Sequence, residues 1–299
     1  MQTQLIEANT VNEDEAFYNA IANDCPKNIL QFISERGQGK STALKTIIKR
    51  MRITNPELEF LVFDISQTWF QSAPLKYRQL VTVDKIRAGQ VMNVSDCVYE
   101  MGELSEAQRR AFMGTIIAQI YKKRYEMKLN NPEEFAKLRT MIFVIEESNC
   151  VFGSYSFRQR DWISPILSDF VSVGRNYKLS AILVATVEVG EMAPSLRRRS
   201  RRIYGRLVAE GDISRVRRNN KEMAKFLSQE IPRFNFIYWG ESGFIGPVKV
   251  PDEVKAPAID YPLPEANPQG NNNPNFWSQL FFGVIGVFAI WAFITYFTG

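Results

Sequence analysis

The chain has 299 residues, 45% of them hydrophobic, which is enough for one sizeable α/β domain with an appendage. Lysine and arginine number 37 against 32 acidic residues, so the net charge of +5 identifies no partner by itself. The chain contains no histidine, which excludes His-ligated zinc sites, Ser-His-Asp triads and Cys-His pairs. The cysteines Cys25, Cys97 and Cys150 lie far apart and are typical of reduced, cytoplasmic thiols.

Residues 1–26 read as a polar lead-in, and a strand is predicted from Asn28 to Ile33. A glycine-containing loop follows, then a helical pattern with Leu44, Ile47 and Met51 on one face. A strand, such a loop and a helix form a phosphate cradle of backbone N–H groups at a helix N-terminus. The residues expected to contact a nucleotide are Arg36, Gly37, Gln38, Gly39, Lys40, Ser41 and Thr42.

Within this loop, Lys40 is placed to reach the outer phosphates of ATP, and the Ser41 hydroxyl to bind Mg²⁺. The loop departs from the usual G-x-x-x-x-G-K-[ST] pattern because Ser34 stands where the first glycine belongs. The alternative interpretation is an ordinary glycine-rich turn before a basic helix.

Apolar runs alternate with helical patterns through the rest of residues 27–250. Ser105 and Gln108 predict a capping box at the start of one helix, and Pro165 lies in the first turn of another. Continuous apolar strands separated by helices predict a mainly parallel sheet covered on both faces. The further predicted strands are 58–64, 141–145, 179–186, 203–208 and 234–239.

Glu146 and Glu147 directly follow the apolar strand 141–145. In P-loop enzymes an acidic residue at this place holds Mg²⁺, and a second carboxylate beside it orients and deprotonates the attacking water. We therefore expect Glu146 to bind the metal and Glu147 to act as the base. Two solvated acids at a strand end are the alternative.

Two further residues are candidates for sensing or stabilising the γ-phosphate. Thr186 ends the strand that begins at Leu179. Arg175 follows the helix after the carboxylate pair, and it is a candidate arginine finger for a neighbouring subunit. The alternative for Arg175 is a cation that favours a helix C-terminus.

The positive charge is densest between residues 197 and 218. Its arginines lie at Arg197–Arg202, a run interrupted by Ser200, at Arg206, and within Arg215–Arg218. Clustered arginine grips a phosphate backbone without sequence preference, so this segment is a candidate DNA contact. A solvated surface, or a patch on anionic lipid, would explain the same pattern.

A membrane anchor is predicted at residues 276–298, which carry no charged side chain and suffice to span roughly 30 Å of hydrocarbon. Trp277 and Tyr296 suit the two interfaces. Residues 251–275 are rich in proline and asparagine and form a linker. The expected arrangement is a single-pass protein whose ATPase domain faces the cytoplasm, without an N-terminal signal peptide.

Taken together, these segments resemble the FtsK/HerA branch of P-loop ATPases, and most of all the genome-packaging ATPases of membrane-containing double-jelly-roll viruses. The resemblance spans roughly residues 28–250. It is carried by Gly39-Lys40-Ser41, Val62-Phe63-Asp64, Glu146-Glu147, Gly174-Arg175-Asn176, Leu183–Thr186, Ala193–Arg197 and Ile231–Phe236.

The resemblance implies an ATP- and Mg²⁺-dependent motor that works as a homo-oligomeric ring, often a hexamer, and passes DNA through its centre. It also suggests capsid or virion membrane proteins as partners, on a host membrane or an internal virion membrane. The Zot-like assembly ATPases of filamentous phages are the second family that fits, although they usually carry a domain beyond the membrane. A non-enzymatic membrane scaffold with a P-loop fold is the third possibility.

Overall fold

The computed structural model describes residues 10–65, 69, 75–91, 95–153, 163–185, 196, 200–241 and 243–250. Its helices are α1 Thr10–Asp24, α2 Lys40–Thr54, α3 Val83–Arg87, α4 Glu106–Asn130, α5 Pro132–Lys137, α6 Asn149–Phe152, α7 Ile163–Val173, α8 Glu210–Asn219 and α9 Lys221–Lys225. Its strands are β1 Leu30–Ile33, β2 Leu58–Asp64, β3 Tyr77–Leu80, β4 Cys97–Glu100, β5 Thr140–Ile145, β6 Leu179–Ala185, β7 Arg201–Tyr204, β8 Asn235–Gly240 and β9 Gly243–Lys249.

The described strands form one sheet in the order β3-β4-β2-β5-β6-β1-β7-β8-β9. All neighbours from β3 to β7 run parallel, and only the β7–β8 and β8–β9 pairs are antiparallel. The mixed α/β architecture with a mostly parallel sheet, predicted from the alternation of strands and helices, is confirmed. Since parallel strands share one direction, the segments after β1, β2, β5 and β6 meet at the same edge.

Both faces of the sheet are buried, which explains why its central strands are apolar without alternation. On β2, Phe60 and Val62 pack towards α1 and α2, whereas Leu61 and Phe63 pack towards α4 and α7. Hydrophobic burial of this kind contributes about 25 cal/mol per Å² of apolar surface and is the main term that stabilises the layers.

The helix starts read from the sequence are borne out where the structure describes them. Ser105 accepts a hydrogen bond from the backbone N–H of Gln108, and the Gln108 side chain accepts one from the Ser105 N–H, completing the predicted capping box of α4. Pro165 lies in the first turn of α7.

Within the expected polar lead-in at residues 1–26, the described helix α1 needs a different interpretation, because it is packed into the domain. Phe17 and Ile21 are fully buried between α2 and the sheet, and the Tyr238 hydroxyl donates a hydrogen bond to Asp24. The acidic residues at the start of α1 made the segment look polar, although it also carries a short apolar stripe at helical spacing. The domain that was expected to begin at residue 27 therefore includes α1.

None of the helices among the described residues is both long and apolar enough to cross a membrane. The predicted linker, residues 251–275, and the predicted span, residues 276–298, lie outside the described part of the chain.

Candidate nucleotide site

The loop between β1 and α2 lies at the carboxyl edge of the parallel strands. Gly37 and Gly39 both adopt left-handed backbone conformations, with φ of 78° and 77°, which other residues adopt only with strain. Ser34, which replaces the expected first glycine, is buried beside Gly205 after β7. A Cβ atom on Gly205 would lie 2.4 Å from Ser34 Oγ, so the absence of a side chain at Gly205 leaves space for Ser34. The departure from the usual motif is thus accommodated by the neighbouring strand.

Lys40 begins α2 and turns back across the loop. Its Nζ donates to the carbonyl oxygens of Ser34 and Glu35, at 2.7 and 2.8 Å. Burial lowers the pKa of Lys40 to about 8, against the opposing attraction of Glu146. A phosphate beside this ammonium group would favour its charged form, which is the electrostatic basis for anion binding here.

Ser41 and Glu146 meet although 105 residues separate them in the chain. Ser41 Oγ donates to Glu146 Oε1 at 2.8 Å, and the same carboxylate oxygen accepts a bond from Trp69 Nε1 at 3.1 Å. Glu146 is buried, as is Asp64 at the end of β2, whose carboxylate accepts the Trp69 backbone N–H at 3.0 Å. The structure therefore joins the loop to the carboxylate predicted to bind metal.

The donor set of this pair fits Mg²⁺, which prefers oxygen ligands and commonly takes one or two from the protein and the rest from phosphate and water. Ser41 would offer its hydroxyl and Glu146 its carboxylate. Among the described residues no cluster of three or more Asp, Glu, Cys or His side chains is placed to hold a metal.

Glu147 has an exposed side chain and a left-handed backbone, with φ of 45°. Its neighbours are fixed: Glu146 N–H donates to the Phe63 carbonyl at 3.2 Å, and Ser148 donates to the Val184 carbonyl through both its N–H and its hydroxyl. A non-glycine residue held in this conformation costs about 1–3 kcal/mol, and such residues cluster at functional sites.

The other predicted contacts in the loop have different environments. Arg36 is exposed, Gln38 Nε2 donates to Glu35 Oε2 at 3.5 Å, and Thr42 is half-buried at the start of α2. Thr186, the predicted sensor, lies outside the described residues.

Arg175 is not brought to this site. It is exposed in a 3₁₀ turn, Gly174–Tyr177, directly before β6 and thus at the amino edge of the sheet. Since β6 has seven residues, roughly 20 Å separate its two ends. Arg175 cannot reach the loop of its own subunit, so a finger role requires a neighbouring one.

The arginine-rich segment divides into inward and outward members. Arg201 on β7 pairs with Asp24 and Glu241, and the buried Arg202 lies over the Trp239 ring at 5.4 Å from its centroid. These two arginines hold the fold together, which corrects their expected place in a DNA-binding surface. Arg217 and Arg218 on α8 are exposed, whereas residues 197–199 lie outside the described residues.

Sequence reasoning missed three contacts at or beside the site. Trp69 reaches Glu146 from the segment after β2, and Arg233 contacts Gly37 from the segment before β8. Neither contact follows from residue spacing, because both join segments distant in the chain. The ion pair between Arg206 and Glu35, at 3.6 Å, was missed for the same reason.

No protein-family model matches the chain, and neither does any curated protein sequence. Solved structures do match. The fold is similar to the genome-packaging NTPase B204 of Sulfolobus turreted icosahedral virus 2 in complex with AMPPCP, with a TM-score of 0.50 and 12% identity over 75% of this chain and 98% of that chain. The same NTPase in complex with AMP gives a TM-score of 0.50 and 13% identity over the same shares.

EccC of Thermomonospora curvata (ATPases 2 and 3) matches with a TM-score of 0.43 and 14% identity, over 77% of this chain and 39% of that chain. The resemblance inferred from the motifs is confirmed at the level of the fold by the similarity to B204. The chain thus has the fold of a viral packaging NTPase, with its loop and buried carboxylate at the edge where α/β sheets bind ligands.

Proposed function

We propose that this protein is an ATP-hydrolysing motor of the FtsK/HerA type that moves DNA, and that it packages a viral genome. The observation that carries the proposal is the contact between Ser41 of the glycine loop and the buried Glu146 after β5. On a fold similar to a genome-packaging NTPase, this contact supports the proposal by joining the loop expected to cradle phosphate to the carboxylate expected to bind the metal.

In the proposed site, Lys40 neutralises the outer phosphates and the loop N–H groups cradle them. Ser41 and Glu146 hold Mg²⁺, which would neutralise the charge that develops on the transferred phosphoryl group. Glu147 orients the attacking water and accepts its proton, and its strained, exposed position at the strand end supports this role. Arg175 acts in a neighbour's site across a ring interface, where its charge would stabilise the transition state.

The proposed DNA contacts are the exposed arginines, Arg217 and Arg218, together with residues 197–199 of the same basic segment. Arginine on a solvated helix contacts phosphates without reading sequence. The apolar residues 276–298 supply the proposed membrane anchor, joined to the motor domain by residues 251–275.

The test is ATP hydrolysis by the full-length protein in detergent, measured with and without double-stranded DNA over a range of salt concentrations. We expect hydrolysis that DNA stimulates, with a stimulation that falls as salt rises because counterions compete for the phosphates. Turnover that DNA leaves unchanged at every salt concentration would contradict the motor proposal and favour the phage-assembly alternative. The absence of nucleotide binding would contradict both.

A further inference from the structure

A second segment holds the glycine loop from outside. Arg233, in the turn before β8, donates from Nε and Nη2 to the carbonyl oxygen of Gly37, at 3.3 and 3.0 Å. The two residues are 196 positions apart. A guanidinium group that grips one carbonyl through two N–H groups fixes both the position and the direction of that peptide.

Phe234 reinforces this contact from the next position. Its ring lies against Gly39, so closely that a Cβ atom on Gly39 would be 2.5 Å from Phe234 Cδ1. The Arg233 guanidinium lies over the same ring, 5.2 Å from its centroid. Phe234 adopts a left-handed backbone with φ of 63°, a strained conformation for an aromatic residue. The strain brings both side chains onto the loop, at its two left-handed glycines.

The turn that presents Arg233 and Phe234 is itself well anchored. The Asn235 side chain donates to the Arg233 carbonyl at 3.0 Å, and the Asn235 N–H donates to the Pro232 carbonyl at 3.2 Å. The Phe234 carbonyl accepts the N–H of Val250 at 3.1 Å. These bonds tie the turn to β8 and to the end of β9, so that it forms a fixed support.

We propose that Arg233 and Phe234 are positioning residues that hold Gly37–Gly39 in the shape that accepts the β-phosphate of a nucleotide. By keeping the Gly37 carbonyl directed outwards, Arg233 leaves the following N–H groups directed at the anion. This inference rests on the proposed nucleotide-binding function, but it concerns the shape of the loop, not the chemical step.

The test compares Arg233→Ala and Arg233→Lys with the unaltered full-length protein, using ADP and ATP binding and steady-state hydrolysis. For Arg233→Ala we expect the affinity for both nucleotides to fall about tenfold, because the Gly37 carbonyl loses the guanidinium group that holds it in place. KM should rise by a similar factor while kcat at saturating ATP stays within about twofold, because the loop is restored once nucleotide fills it. Arg233→Lys should recover part of the affinity.

Arg139→Ala is the matched control, since Arg139 is an exposed arginine paired only at the surface with Glu57 at 3.2 Å, and its loss should leave the affinity unchanged. Phe234→Leu tests the second contact without removing apolar packing, and thermal unfolding of each variant reports whether it folds. Unchanged affinity in a folded Arg233→Ala protein would overturn the inference. A lowered kcat with unchanged KM would also overturn it, because Arg233 would then act in the chemical step.

The two proposals fail in different ways. If DNA does not stimulate the unaltered protein but Arg233→Ala still weakens ATP binding, the motor proposal fails and the positioning role stands. If DNA stimulates the unaltered protein and Arg233→Ala binds ATP normally, the positioning role fails and the motor proposal stands.

Discussion

A lysine that donates hydrogen bonds to two backbone carbonyls lies at each edge of the parallel sheet, but the surroundings of the two lysines differ. At the carboxyl edge, Lys40 Nζ donates to two loop carbonyls at 2.7 and 2.8 Å. At the amino edge, Lys178 Nζ donates to the carbonyls of Ala136 and Leu138 at 2.6 and 2.8 Å. Around Lys40 lie left-handed glycines and the buried Glu146, whereas Lys178 lies over the Phe135 ring, 5.6 Å from its centroid.

Because both lysines make the same kind of hydrogen bond, the surroundings of each lysine, and not its own bonds, must decide what it does. Near Lys178 the neighbouring cations Arg124 and Lys128 also donate to carbonyls of the Gly174–Lys178 turn, so this edge is cross-linked for stability. The carbonyls that Lys40 holds belong to the loop proposed to bind phosphate through its N–H groups. The same substitution made at each lysine would therefore separate a role in nucleotide binding from a role in stability.

The largest effect is expected from Lys40→Met compared with Lys178→Met. Lys40→Met should lower ATP turnover at least about 100-fold, because the ammonium group proposed to neutralise the outer phosphates is lost. Lys178→Met should leave turnover within about twofold and lower the free energy of unfolding by about 1–2 kcal/mol, because two backbone carbonyls lose a charged donor. ATPase rates and urea unfolding of both variants check this. Equal losses of activity in the two variants would contradict the assignment of different roles to the two lysines.

The next largest effect should come from Glu147→Gln. If Glu147 is the base, the amide cannot accept the proton, and hydrolysis should fall by about 10²–10⁴-fold while ATP stays bound. Glu126→Gln, an exposed glutamate on α4, serves as the matched control and should behave like the unaltered protein. Single-turnover hydrolysis, measured together with ATP binding, distinguishes a loss of the chemical step from a loss of binding. Unchanged turnover in Glu147→Gln would remove Glu147 from the chemical step.

The parts that sequence could predict are those in which local pattern and buried strands agree. The glycine loop and the apolar strand that Glu146 and Glu147 follow were predicted because each signal lies within about ten consecutive residues. By contrast β3, β4 and β9 were missed: β3 and β4 have four residues each, and β9 contains Gly246 and Pro247, which are turn signals. The partners of the site, Trp69 and Arg233, depend on tertiary contacts that no local pattern encodes.

A smaller effect is expected from Trp69→Phe, which removes the indole donor from Glu146 while keeping an aromatic ring. Partners that orient a metal ligand commonly change metal affinity by 10-fold or more. We therefore expect the Mg²⁺ concentration for half-maximal hydrolysis to rise about tenfold, with kcat recovered at high Mg²⁺. Trp239→Phe, which alters a tryptophan on β8 remote from Glu146, is the control. A Mg²⁺ requirement unchanged in Trp69→Phe would show that the hydrogen bond from Trp69 does not orient the carboxylate for the metal.

The smallest effects should distinguish the two kinds of arginine in the basic segment. Arg202 is buried over Trp239, so Arg202→Met should lower the free energy of unfolding by about 1–3 kcal/mol and leave the DNA affinity of the remaining folded protein unchanged.

Arg218 is exposed on α8, so Arg218→Ala should leave stability unchanged and weaken DNA binding by a few-fold, irrespective of the DNA sequence. It should also reduce the slope of log K against log salt by about 1, since one phosphate contact is lost. Urea unfolding and DNA binding at several salt concentrations measure both. If Arg218→Ala left the salt slope intact, the exposed face of α8 would be an ordinary solvated surface, and the proposed DNA contact would have to lie elsewhere in the basic segment.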